Sequence, residues 1–183
     1  MHKLSHAVAD GWLPHSHAAM YRVVPTQGPG ERIVAGVPGG DPVPFESLVA
    51  TLEPPYFVLY VLHTPRGEGD AGRYQSPPLS GEQFQQFTRR FGAYLSSDAR
   101  FDIWAHSAAQ HATVVWDRHN QLFAYGPLAG YARVLDALGF MQGDAGIPSP
   151  HQHHYRPEFD GDAQAILDYL PWSYTPLQPH DVQ

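Results

Sequence analysis

Three imidazoles within four residues, His151, His153 and His154 in the run HQHHYR, are the densest group of metal-capable side chains in the chain. Imidazole nitrogen suits zinc and other divalent transition metals. In extended backbone, residues two apart point the same way, so His151 and His153 make a two-histidine clip. His154 and a carboxylate, Glu158 or Asp160, stand close enough in sequence to add to it. Read this way, the chain is a metal-dependent hydrolase with a His151, His153 and His154 centre. The known spacings do not close around it: there is no H-E-x-x-H, and an H-x-H-x-D arrangement would need Asp at position 155, where Tyr stands.

A second group is Asp117-Arg118-His119-Asn120. Asp and Asn are turn formers in their own right, but Asp117 beside His119 also has the composition of a carboxylate that orients an imidazole for proton transfer. A third pair, His106 and His111, brackets the short linker from Ser107 to Gln110. A four-residue hairpin loop there makes the two histidines cross-strand neighbours, about 5 Å apart at Cβ. No Ser stands in a G-x-S-x-G elbow, which removes one common nucleophile. Gly67 to Gly72 formally spells G-x-G-x-x-G. The stretch RYQSPP follows where a dinucleotide site requires a helix N-terminus, and Glu68 and Asp70 would repel phosphate. Arg66, Arg73 and Tyr74 in the same stretch remain candidates for a loop that contacts a ligand.

The elements that must carry these groups are read from periodicity. Phe101 to Gly126 contains three apolar runs joined by two short polar linkers. Linkers this short join only antiparallel neighbours, so the segment predicts a three-stranded meander. Tyr56 to His63, YFVLYVLH, is apolar on both faces and predicts a buried strand. Met20 to Val24 and Arg32 to Val37, separated by QGPG, predict a small edge hairpin. Helices are expected after Asp41-Pro-Val-Pro; after Ser80-Gly-Glu-Gln83, a capping box; after Gly126-Pro127; and after Asp160. The fold class that follows is α+β, one domain over residues 1–183, with a mainly antiparallel sheet and helices packed on one face. Residues 1–20 are expected to form an arm or a short irregular helix, residues 64–79 and 143–156 long loops, and residues 172–183 an extended Pro-rich tail. Tyr56, Tyr60, Trp104, Trp116, Tyr125 and Trp172 exceed what one sheet face needs, so an aromatic surface is expected on the uncovered side.

Composition bounds the function. The 183 residues carry a net charge of −7 without a dense basic run, which speaks against nucleic acid and against an anionic membrane surface. No segment has the length of an apolar span, and the N-terminus lacks the apolar core of a signal peptide, so the expectation is a cytoplasmic protein. There is no Cys, hence no disulfide, thiol nucleophile or thiolate zinc site. The twelve His are the compositional outlier.

Because no catalytic constellation closes, the leading reading is a non-catalytic module that binds a protein or small-molecule ligand. Its ligand-binding candidates are Arg66, Arg73, Tyr74, Trp104, His106, His111, Trp116 and His119. The metal-dependent hydrolase, with zinc or another divalent transition metal, is the alternative. A histidine-based pH-responsive protein is the second alternative, since imidazoles change charge near neutrality.

Overall fold

In the computed structural model, residues 2–179 and Asp181 are described; His180 and the other tail residues 182–183 lie outside them. Among the described residues, twelve strands and four α-helices follow one another. The strands are β1 (Leu4–Val8), β2 (Gly11–His15), β3 (Met20–Pro25), β4 (Glu31–Gly36), β5 (Tyr56–Leu62) and β6 (Gly72–Gln75), then β7 (Phe101–Ser107), β8 (Ala112–Trp116), β9 (Gln121–Tyr125), β10 (Met141–Gln142), β11 (His151–His153) and β12 (Ser173–Thr175). The helices are α1 (Val43–Val49), α2 (Gly81–Ser97), α3 (Leu128–Ala137) and α4 (Asp160–Tyr169).

Nine strands form one sheet in the order β10-β3-β4-β9-β8-β7-β5-β6-β12, and β11-β1-β2 form a second, three-stranded sheet. Every pairing is antiparallel except β10 with β3. The meander of β7, β8 and β9 lies at the middle of the large sheet with β5 beside it, so the fold is α+β with a mainly antiparallel sheet. Alternation along these strands sends Tyr60, Phe101, Ile103, Val114, Trp116 and Leu122 to one face. There they pack against Phe45 and Leu48 of α1, Phe84, Phe87 and Phe91 of α2, Tyr131 and Leu135 of α3, and Ala163 and Ile166 of α4. All four helices therefore cover the same side. The opposite face carries a smaller cluster of Val34, Val115 and Phe123, with Trp104 and Tyr125 against it. Ser80 caps α2 through its side chain, and Gln83 returns the bond. Among the described residues no helix is long and apolar enough to cross a membrane.

Four expectations are corrected, and each error has the same origin. Where an arm or a short irregular helix is expected over 1–20, residues 4–15 form the β1–β2 hairpin. The 64–79 loop contains β6, the 143–156 loop contains β11, and the tail contributes β12. These strands are three to five residues long, too short for a period to stand out, and all but β2, which pairs only with β1, have a partner distant in sequence. In β2 the signal is also masked by Pro14, tolerated because this strand is an edge. The Met20 and Arg32 hairpin is likewise not peripheral: β4 pairs with β9 and joins the main sheet.

The β7–β8 hairpin is displaced by one residue from expectation. Ser107 pairs with Ala112 and His106 with Thr113, so the loop is 108–111. Ser107 is held in the strand by donating to the Glu53 carbonyl, 2.7 Å away. His111 falls in the loop, with φ of 49°, and is no cross-strand neighbour of His106.

Trp116 is fully buried, its ring tilted against that of Phe45 at 5.7 Å between centroids, and donates from Nε1 to Asn120 Oδ1 at 3.0 Å. Replacing it with Ala is expected to cost about 3–5 kcal/mol, read as a lower urea midpoint with an unchanged slope. A loss under about 1 kcal/mol would contradict this packing.

Candidate metal centre

The three-stranded sheet presents one face made largely of imidazoles. In its register, Leu4 of β1 lies opposite His153 of β11 and His15 of β2, and His6 lies opposite His151 and Leu13. Residues 4 and 6 share a side of β1, so His6, His15, His151 and His153 all project from that same side. The pleat alone collects four of the twelve histidines.

The β8–β9 turn brings a fifth. Asp117 Oδ1 accepts the backbone N–H of His119 at 2.9 Å and of Gln121 at 2.8 Å. Asn120 closes the turn in the left-handed region at φ 58°, a conformation Asn tolerates better than most residues. His119 is thereby aimed at the sheet: its ring centroid is 4.8 Å from that of His153 and 5.3 Å from that of His151. A sixth, His17, packs behind the turn and donates from Nε2 to the His119 carbonyl at 2.8 Å. That approach requires a glycine on β4, because a Cβ at Gly36 would lie 2.6 Å from His17 Cβ.

One ligand nitrogen from each of His119, His151 and His153 lies within 4.8 Å of the other two. Their outer hydrogen bonds set which nitrogens face inward. His119 Nδ1 is 2.6 Å from Asp117 Oδ2, and His151 Nδ1 is 3.0 Å from the Pro148 carbonyl. Both acceptors take a proton from Nδ1, which leaves the Nε2 lone pairs for a ligand. His153 Nε2 is buried with no hydrogen-bond partner. A buried polar atom left unpaired costs stability, and a metal ion would satisfy it. Metal-binding histidines usually carry such an outer carboxylate or carbonyl acceptor.

The electrostatics suit neutral imidazoles. Burial, reinforced by His119, Arg118 and His151, pushes the His153 pKa down to about 3. Burial and the neighbouring His17 and His6 push His15 down to about 4. For Asp117, burial alone would raise the pKa, but the hydrogen bond and charge of His119, with the Gln121 N–H and the Lys3 ammonium, hold it below the usual carboxylate range. Lys3 is itself fully buried. Its ammonium donates to the Asp117 carbonyl at 3.0 Å and lies over the rings of Phe101 and Trp116, and burial lowers its pKa to about 8.

His154 stands outside this group. As the residue after His153 it faces the other way, and its Nε2 lies 2.7 Å from Ser5 Oγ. The sequence-level triplet is thus divided, with His119 in the third position. The remaining candidates are dispersed. Trp116 belongs to the core and His111 is exposed. Arg66 pairs with Asp160 at 3.1 Å on the surface. Tyr74 donates to the Asp70 carbonyl and packs near Tyr60 and Tyr174. Arg73, Trp104 and His106 do come together, with Phe57 and Leu59, in a cleft of about 350 Å³ on the sheet face away from the helices. His6, His15 and His17 went unnoticed because they are spread along an N-terminal stretch with no visible period. Their spacing held a usable signal, since His15 and His17 are again two apart. No protein-family model, curated protein or solved structure shows a significant match to the chain.

A depressed imidazole pKa has a definite consequence for the metal-free protein. The folded His153 and His15 stay neutral to about pH 3 and 4, whereas the unfolded chain takes up protons near pH 6.5. Their contribution is therefore intact above about pH 6.5 and is lost as the pH falls toward 4. The melting temperature measured in chelator should fall across that window, and less steeply for His153→Gln. Identical slopes for the two proteins would refute the assignment.

Proposed function

We propose that the chain is a divalent transition-metal protein, with His119, His151 and His153 as ligands and Asp117 as the outer carboxylate. The observation that carries this reading is the inward convergence of three imidazole nitrogens, one of them buried without a partner. Three protein ligands with a fourth position left to water is the arrangement of catalytic rather than structural zinc. Such a site lowers the pKa of a bound water toward neutrality, so the chemistry best suited to it is hydrolysis by a metal-activated water. In that role Asp117 is a positioning residue. It fixes the ring plane and tautomer of His119 and has no part in the bond-making step.

A second reading keeps to ligand binding without catalysis. It rests on the cleft lined by Phe57, Leu59, Arg73, Gln75, Trp104 and His106, where Trp104 Nε1 is buried without an acceptor. An apolar floor beside an unpaired indole N–H, with the Arg73 guanidinium next to it ion-paired to Asp181 at 3.4 Å, suits an aromatic ligand that carries its own hydrogen-bond acceptor. Stabilisation by indole-3-carboxylate in a thermal-shift assay, lost in Trp104→Ala, is the expected result. No shift in the wild-type protein would dismiss it.

For the metal reading, protein purified without a nickel column is expected to retain at least one equivalent of Zn²⁺ after dialysis and to lose thermal stability in chelator. His119→Ala should abolish binding at this centre, and Asp117→Asn should weaken it about 10–100-fold. Metal well below one equivalent, together with a melting temperature indifferent to chelator, would end the proposal.

A further inference from the structure

We propose that the same histidine face holds a second divalent transition-metal ion, ligated by His15 and His17 with His6, next to the first; this rests on the metal reading above. His15 Nε2 and His17 Nδ1 are 3.3 Å apart. Two nitrogens each about 2.0–2.1 Å from a common tetrahedral ion are separated by about 3.3 Å, so the pair already has the spacing of two ligands on one metal. The tautomer agrees. His17 Nε2 is committed as donor to the His119 carbonyl, which places the lone pair of neutral His17 on Nδ1, facing His15.

A third imidazole stands beside this pair, although among the described residues only His119, His151 and His153 already place three nitrogens within 4.8 Å of one another. His6 Nδ1 is buried with no hydrogen-bond partner, the same condition as His153 Nε2 in the first centre. Its ring stands edge-on to that of His15, 5.8 Å between centroids, so the proposed ion draws the His6 side chain toward it on binding. In the small sheet His6 is also directly opposite His151, at about 5 Å between Cβ atoms. The two centres thus share a wall, with His6 and His151 as adjacent ligands to different ions. His17 links them a second time through the backbone of His119. Six imidazoles with a single carboxylate, Asp117, hydrogen-bonded to any of them give a donor set of the type that selects zinc or cobalt over magnesium or calcium.

The test is a metal count on the full chain with Zn²⁺, and with Co²⁺ as a spectroscopic probe. The wild-type protein should bind two equivalents, and its Co²⁺ absorption should grow in two phases. The His15→Ala/His17→Ala double variant should bind one equivalent and retain the phase that His119→Ala/His153→Ala removes, while the latter should retain the other. Because His17 is nearly buried, His15→Ala alone serves as the second variant; it should also lose one equivalent with its far-UV circular dichroism unchanged. One equivalent in the wild type, unaffected by His15→Ala and abolished by His119→Ala/His153→Ala, would overturn the second site and leave the first standing. One equivalent in the wild type that either double variant abolishes would show a single shared ion and equally overturn it. No bound metal in the wild type would remove both.

Discussion

Asp117 is the residue on which the two sheets and the candidate centre depend together. Its carbonyl receives the buried Lys3 ammonium, which ties β1 to the end of β8. Its carboxylate closes the β8–β9 turn through two backbone N–H groups and holds the His119 ring. A carboxylate this deeply buried is tolerated only when it is well hydrogen-bonded, and here its two oxygens accept three N–H groups. Local turn chemistry, sheet-to-sheet docking and the aim of an imidazole thus converge on one residue.

The other flank of the small sheet is anchored by a second buried polar group. Arg100 is fully buried, bound to Asp98 through two nitrogens and also to Glu68 and Asp160. Asp98 accepts the Arg156 backbone N–H, and Arg100 donates to the Arg156 carbonyl. The segment after β11 is therefore pinned to the start of β7 on both sides of one peptide unit. With the Asp98 carboxylates opposite it, the guanidinium is held in its charged form despite burial, which would otherwise disfavour it. Breaking such a network leaves an uncompensated buried charge, so the position of His151 and His153 is set by elements well away from them.

How legible this was in the chain followed the length of each element. The meander, the double-faced strand at Tyr56, the capping box at Ser80 and the aromatic stripe of α2 each carry their own periodic or capping signal, and all four are present in the fold. The small sheet carries none, because its strands are short and its β1–β11 pairing spans the whole chain: Leu4 with His153, His6 with His151. For the same reason HQHHYR showed which two histidines share a side but could not show that His154 turns to Ser5 while His119 arrives from a turn 32 residues earlier. The alternation that aligned His151 and His153 also excludes the residue between them and the residue after, so one rule accounts for both the legible and the illegible part.

The two ends of the large sheet have a consequence of their own. Its outermost members, β10 and β12, are two and three residues long, and β12 is bracketed by Pro171 and Pro176. A long naked rim with free amides is a template on which another chain can add and propagate. Stubs this short, one of them flanked by proline, offer little such template, so edge-to-edge growth from β10 and β12 is disfavoured.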